Sequence, residues 1–576
     1  MIRYSKINLF DAGALALLAT LVGVMSAYAS LAFLWAIDYL HLLGVGAHGS
    51  TLYTYLENIS IWHLFFLPVA GAVIVRMIIQ YGMPGQRHQG PADVIAAARI
   101  GQGVLSIRAG IASAAASILS IGSGASVGRY GPAVHLGASV GSWVAQCMKM
   151  TSDQNKTLLA CGVAGAISAS FSAPLAGLVF AHEVILGRFE SKSVMPIAIS
   201  SVVASAIVRS HEFNTILFML PDMSIVNYWE YFLFAVLGIT GGGLAVLYMA
   251  LMHRLTKLFE QLPVSGLSRA LLGGFALGVI VIIFPQTFGV GEQVINDALH
   301  LQISADVLML LVLAKLLATS VSFAAGFSGG IFGPALFLGA MMGTAFGLGV
   351  FEVTDSASLP AVYGVVGMGA VISRVIGAPI TTILIVFELT GSYALMTAVM
   401  VSVVIGGMVT RQLFNQSYFH HQLRMRSIAP DTEPVEQILR EMPLRTIKSD
   451  AFIAMTDDMT LAEARGMMNN QRCHEACFVV DQNGRFLGRF YAASLYACGD
   501  EEMPLKHISH IYVEPLLVFT EDMNVYAAYL KLKDYKDAAI PLVKDLESLQ
   551  MQGVVYVSDL ASACLQAFEK NRDDVS

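Results

Sequence analysis

The sequence predicts a multi-pass α-helical membrane protein whose apolar part is duplicated and is followed by a smaller soluble α/β domain. Three observations carry this. Of 576 residues, 56% are hydrophobic and 13% charged, and the mean hydropathy is +0.65, far more apolar than soluble domains of ordinary composition. From about residue 9 to 415, apolar segments follow one another with short connections, whereas after Leu423 charged and apolar residues mix. A glycine-rich stretch in the first half also recurs in the second.

At the N-terminus, Arg3 and Lys6 precede an apolar run too long for a signal-peptide core, so it is expected to stay as a membrane helix. Arg411, Arg424 and Arg426 follow the last apolar run. By the positive-inside rule both ends face the cytoplasm, which requires an even number of crossings and suits a cell (inner) membrane. A net charge of −7, with no Lys/Arg cluster in the apolar part, argues against a nucleic-acid partner. Cys147, Cys161, Cys473, Cys477, Cys498 and Cys564 show no disulfide spacing and are expected as reduced thiols. The run Cys473-His474-Glu475-Ala476-Cys477 offers too few ligands for a closed zinc site, so no metal is expected.

Many apolar segments fall short of the ~20 residues that a simple span requires. Glycine and proline cut them at GPADVI (90–95), GRYGP (128–132), SAPLAG (172–177), GGIFGP (329–334) and GAPITT (377–382). Setting residues 124–141 (GASVGRYGPAVHLGASVG) against 326–343 (GFSGGIFGPALFLGAMMG) without gaps gives 10 identities in 18, at an offset of 202. SAPLAGLVFAHEV (172–184) and GAPITTILIVFEL (377–389) share Ala-Pro and a glutamate nine residues after the proline, at an offset of 205. One duplication explains both. Interrupted apolar segments at corresponding places of two repeats point to a transporter-like site at the repeat interface.

Proline just inside a helix start wastes no N–H, and glycines ahead of it leave backbone amides bare along the axis. Two helices are thus predicted to begin at Pro132 and Pro334, within the bilayer. Bare amides there are tolerated only inside protein or a wet cavity, and together with the positive end of the helix dipole they select an anion. The predicted ligand is a small anion held by the backbone of Gly128, Arg129, Tyr130 and Gly131 and of Gly330, Ile331, Phe332 and Gly333. Arg129, the one charge in these loops, has two readings: an anion ligand, or a structural ion pair or carbonyl cap. Small residues such as Gly137, Ala138 and Gly141 also let membrane helices pack closely.

These motifs carry a resemblance. GSGASVGRYGP resembles the GREGP signature of the CLC chloride channels and transporters, GGIFGP resembles their GxFxP signature, and SAPLAGLVFAHEV and GAPITTILIVFELTG are similar to two further family segments. The tail resembles a pair of CBS domains, a common appendage of that family. The match spans nearly the whole chain. It implies transport rather than catalysis, chloride as the ligand, and a homodimer in the lipid bilayer with one pathway for monovalent anions per subunit. Each subunit would be two inverted repeats of tilted, broken helices over residues 1–425, followed by a cytoplasmic domain over 426–576 with CBS repeats at about 440–500 and 501–570.

Two departures bear on mechanism. Where the family's exchangers have the glutamate of GREGP, which competes with chloride and carries the proton, this chain has Tyr130, a phenol with an ordinary pKa of about 10. Where they have a second, inner glutamate just after Glu183, it has Val184, which carries no proton. Counting back from GRYGP places Gln89 where the family has its selectivity serine, with His88 and Asp93 as an ordinary polar pair. Phe419, beside Tyr418, takes the place of the inner tyrosine. Tyr130, Phe332 and Phe419 are therefore the expected constrictions. His135 is expected as a packed helix residue, and Glu183 and Glu388 as a structural pair that caps or anchors loops.

In the tail, the resemblance implies a Thr and an Asp contacting an adenine nucleotide near the end of each CBS repeat. Tyr491 and Ser494 replace both in the first, and only Asp559 remains in the second, so a structural or dimerising tail is expected ahead of the alternative, adenine-nucleotide binding through Asp559, and no cofactor is required. The function expected is passive chloride conduction as a channel or uncoupled carrier. The alternatives are a proton-coupled antiporter with an atypical proton path, a CBS-regulated divalent-cation transporter, or a membrane-anchored sensor.

Overall fold

The computed structural model describes residues 9–573 except 48, 57, 212–223, 355, 415, 427, 429–433, 471–476, 492, 494–502, 504, 511, 514–516, 533, 534 and 536. Arg3, Lys6, Cys473 to Ala476, Ser494 and Cys498 lie outside the described residues. The chain forms two compact units, Met1–Pro430 and Asp431–Ser576.

In the first unit, eight helices among the described residues are long and apolar enough to cross a membrane. Shorter apolar helices stand between them: Ile107–Gly122, Pro174–Phe180 continued by a π-helical turn at Ala181–Leu186, Pro360–Ile376 and Pro379–Thr390. The breaks fall where the sequence places glycine and proline. Gly124 and Gly326, related by the repeat, both turn with positive φ (+91° and +87°), a region open to glycine at no steric penalty. The following helices run Tyr130–Cys147 and Phe332–Val353. They begin two residues before Pro132 and Pro334 rather than at them, because proline is accommodated anywhere in a first turn whose N–H groups have no partner one turn back.

Reciprocal contacts tie the halves together. Glu183 Oε1 and Oε2 accept from the backbone N–H of Ile380 (2.9 Å) and Thr381 (2.8 Å) at the start of the Pro379–Thr390 helix. Glu388 does the same for Leu175 (2.9 Å) and Ala176 (2.8 Å) at the start of the Pro174–Phe180 helix. Each repeat's glutamate thus caps the other repeat's broken helix, satisfying amides that a first-turn proline leaves bare. Close helix packing follows the small residues: Gly137 abuts Gly162, and Gly339 abuts Gly367, with no room for a Cβ at either pair.

The second unit contains two three-stranded sheets of like topology. Strands β1 (Ile453–Thr456), β2 (Cys477–Val480) and β3 (Phe486–Phe490) pair parallel then antiparallel, and β4 (Phe519–Thr520), β5 (Ala539–Val543) and β6 (Met551–Tyr556) repeat the pattern. Even the register break recurs, at Val479/Val480 and Leu542/Val543. The apolar runs ACFVVD and GVVYVSD supply β2 and β6, because their β-branched and aromatic residues suit a buried pleated surface. TLAEARGMMNN forms the helix Leu461–Asn470, with Thr460 and Glu463 closing a reciprocal cap at its start. Asp559 stands in the first turn of the helix Val557–Asp573. Cys147, Cys161 and Cys564 are free thiols.

Candidate anion site

The two glycine-rich loops meet. Gly128 N–H donates to the Gly330 carbonyl and Gly330 N–H to the Gly128 carbonyl, both at 2.6 Å, in an antiparallel bridge. Serines repeat the symmetry on either side: Ser126 N–H donates to Ser322 Oγ (3.1 Å) and Ser328 N–H to Ser120 Oγ (3.0 Å). Such reciprocity is what a local two-fold axis between the loops produces. It also corrects the expected ligand set, because the amides of Gly128 and Gly330 are spent on each other. The amides of Arg129, Tyr130 and Gly131, and of Ile331, Phe332 and Gly333, find no protein acceptor among the described residues. Six unpaired amides at two facing helix starts are a positive, water-poor locus suited to a small anion.

A cavity opens at this locus. Its lining includes Tyr130, Gly131, Gly330, Ile331 and Phe332 from the two glycine-rich stretches, and Tyr418, Phe419, Gln422 and Arg426 from the end of the first unit. Gly128 and Gly333 are not among the lining residues and lie close against each other. Phe180, Val134 and Phe323 add apolar walls. Tyr248 donates its hydroxyl to the Ile331 carbonyl (3.5 Å). Phe419 lines the cavity from the first turn of the helix Tyr418–Met425, with Tyr418 beside it.

Gln89 does not line the cavity. Its carbonyl accepts from Ser113 Oγ (2.8 Å), and His88 takes the lining place, with Nδ1 paired to Ser328 Oγ at 2.8 Å. The register of this loop is set by Pro91, which starts the helix Pro91–Arg99, not by distance from GRYGP. Asp93 closes the cap on Gly90 N–H (3.0 Å) and pairs with Arg87 (2.8 Å) and Arg426 (2.9 Å), not with His88. His135 is buried in the Tyr130–Cys147 helix, both ring nitrogens without a partner among the described residues. Val184 is buried in the π-helical turn, and its carbonyl accepts from Arg99 (2.7 Å).

The rings of Tyr130 and Phe332, which line the cavity, form a cluster with that of Phe171. Tyr130 stacks on Phe171 (4.3 Å) and leans on Phe332 (5.3 Å), and Phe171 meets Phe332 at 5.5 Å. Arg129 is not among the residues that line the cavity and forms an ion pair with Glu292 (3.0 Å). The Tyr130 hydroxyl donates to the same carboxylate at 3.5 Å. Neither Phe171 nor Glu292 was expected here. Glu292 opens the helix Glu292–Leu299 after a turn in which Gly289 and Gly291 both have positive φ (+57° and +85°). Lys315 pins that turn by donating to the carbonyls of Thr287 (3.1 Å) and Gly289 (2.9 Å). The only signal in the sequence was GVGEQV itself, an acid opening a helix just after a glycine turn.

Comparison with known proteins agrees with this architecture. The profile of the voltage gated chloride channel family matches residues 70–411, and that of the CBS domain matches residues 444–495. A protein of Ralstonia nicotianae named as a ClcB-like chloride channel is 32% identical over 394 residues, 68% of this chain and 92% of that protein. The voltage-gated ClC-type chloride channel ClcB of Escherichia coli O81 is 28% identical over 417 residues, 71% of this chain and 99% of its own. Among solved structures, a slow cyanobacterial Cl⁻/H⁺ antiporter shares the fold with a TM-score of 0.64 at 22% identity, over 72% of this chain and 97% of that one. A eukaryotic CLC transporter does so at 0.61 and 19%, over 95% and 97%.

Proposed function

The chain belongs to the voltage-gated chloride channel (CLC) family, and from that premise we propose that it conducts chloride or a similar monovalent anion passively across a membrane, as a channel or uncoupled carrier. The observation that carries this reading is Tyr130: it heads the cavity at the place of the exchangers' proton-carrying glutamate and presents a neutral phenol. Val184 supports it from the other position, where no proton acceptor stands. The anion would sit against the unpaired amides of Gly131, Ile331 and Phe332, and pass between the Tyr130/Phe332 rings on one side and Phe419 on the other.

A second reading, proton-coupled exchange by an atypical path, is favoured by the Glu292 carboxylate beside Tyr130. One measurement separates the two. In liposomes with opposed chloride and proton gradients, passive conduction gives a reversal potential that follows chloride alone. Uphill proton movement driven by chloride would establish exchange instead.

A further inference from the structure

We propose that Arg129 and Tyr130 form an anion site at the mouth of the pathway away from Phe419, and that Glu292 fills this site as a built-in competitor, which a proton displaces. The proposal rests on the reading of anion conduction above. One carboxylate oxygen, Glu292 Oε1, takes both the guanidinium of Arg129 (3.0 Å) and the hydroxyl of Tyr130 (3.5 Å). It therefore holds a monovalent negative charge where an incoming anion would meet the same two donors. The guanidinium is not used up by this contact, since its Nε is buried with no partner among the described residues. A buried donor left open costs free energy unless a ligand or water takes it.

The geometry puts this site within reach of bulk ions and protons. The side chains of Glu292 and Arg129 are 28% and 19% exposed, whereas Tyr130, which lines the cavity, is 1% exposed. Charged or titratable groups face Glu292 or its turn from the elements packed there, among them His41 of the Leu9–Val45 helix, whose Nε2 is 3.9 Å from where a Cβ on Gly289 would stand, and Tyr53, whose hydroxyl accepts from Gln286 (2.6 Å). Arg129 and Tyr130 come from the first glycine-rich loop, and Asp38 comes from the Leu9–Val45 helix. Lys315, on the Ala305–Ala325 helix, holds the turn before Glu292. With Glu292 ionised, its charge cancels that of Arg129 and the mouth offers an anion little attraction. When Glu292 takes up a proton, the carboxylate becomes a carboxylic acid, the Arg129 charge is uncancelled, and the anion can replace the carboxylate on both donors. Occupancy of the mouth, and hence flux, rises as pH falls through the titration of Glu292. The inner side has no matching acceptor at Val184, so this proton binds and leaves at the mouth without crossing.

The test is chloride efflux from liposomes containing the intact protein, with potassium and valinomycin to clamp the potential and equal pH on both sides, from pH 4 to 8. The wild type should gain flux several-fold toward low pH. Glu292→Gln should be flat across the series, at the level that the wild type reaches in acid. Glu292→Asp keeps a carboxylate and should keep a pH-dependent profile, which a merely structural role would not require. If Glu292→Gln keeps the wild-type profile, or if the wild type conducts equally at every pH, the proposal is overturned while passive conduction stands. If no protein conducts at any pH, the conduction reading fails and takes the proposal with it.

Discussion

Tyr130 lies nearly flat on Phe171, with ring planes 18° apart and centroids 4.3 Å apart. The phenol is thereby held across the head of the cavity by an aromatic contact worth roughly 0.5–1.5 kcal/mol beyond its area. An anion that passes must displace that ring. Tyr130→Ala should therefore speed chloride efflux by roughly 2- to 10-fold, the rate equivalent of that energy. Tyr130→Phe should keep the stack and remove the hydroxyl, one of the two donors at the mouth, so efflux should fall modestly in acid, where the anion would use that donor. Tyr130→Glu should slow efflux more at high pH than at low, without giving tight proton coupling. Equal efflux from all variants across a pH series would place residue 130 outside the pathway.

Bare backbone at residues 131 and 333 should be essential to flux. A Cβ on Gly131 would stand 3.0 Å from Gly330 Cα, and one on Gly333 would stand 3.0 Å from Val290 Cγ1 and 3.2 Å from Gly128 Cα. Gly131→Val and Gly333→Val should each cut anion efflux and anion binding by about 10-fold or more, the loss expected when about 1.4 kcal/mol of binding is removed. Gly349→Ala is the control: nothing lies within 4 Å of its Cβ, and flux should stay at the wild-type level.

The reciprocal caps should matter for stability and not for selectivity. Glu183→Ala strands the amides of Ile380 and Thr381, and Glu388→Ala those of Leu175 and Ala176. Each should lower stability by roughly 1.5–3 kcal/mol, the usual size of a hydrogen bond to a charged group. Thermal unfolding in detergent should show a lower Tm for either variant. Protein that remains folded should keep its preference among anions; a changed preference would move these glutamates from scaffold to pathway.

In the second unit, hydrogen bonds from Thr460 to Glu463, from its backbone N–H (2.9 Å) and its hydroxyl (2.8 Å), hold that carboxyl below the ordinary carboxylate pKa. A depressed folded-state pKa contributes stability that is present above the unfolded value, about 4.3, and is lost as pH falls through the folded value. Glu463→Gln should thus speed amide exchange in residues 461–470 of the intact protein at neutral pH. The difference from wild type should close in acid below that range. A difference that persists there would assign the effect to the side chain's shape rather than its charge.

The parts of the fold that were legible in the sequence are those that one segment decides alone. Gly124 and Gly326 announce their turns because few other residues tolerate that backbone, and Pro132 and Pro334 announce a first turn because proline wastes no donor there. The site was less legible wherever two distant segments decide it together. Glu292 reaches Tyr130 across 162 positions of sequence, and nothing local to either residue encodes the meeting. The amides of Gly128 and Gly330 looked free because a helix start tells only which amides lack a partner in their own helix, not which loop comes to take them. Gln89 was misplaced by one position because a count from GRYGP accumulates every irregularity in between, whereas Pro91, two residues away, fixes the loop directly.

The bridge between Gly128 and Gly330 also bears on ancestry. If both halves descend from one shorter segment, the two amides now bonded within a chain once belonged to equivalent positions on separate copies, facing each other across the symmetry axis of a dimer. The glutamate caps would then have been contacts between copies too, and a lone copy would have left them empty. After fusion the loops gained the freedom to diverge, which Tyr130 and Phe332 show, but not at the bridge. A Cβ on Gly128 would meet Gly333 N at 2.7 Å, and one on Gly330 would meet Gly131 N at 2.8 Å. A substitution on one side therefore has to be answered on the other, so these four positions are expected to drift through generations as a linked set or not at all.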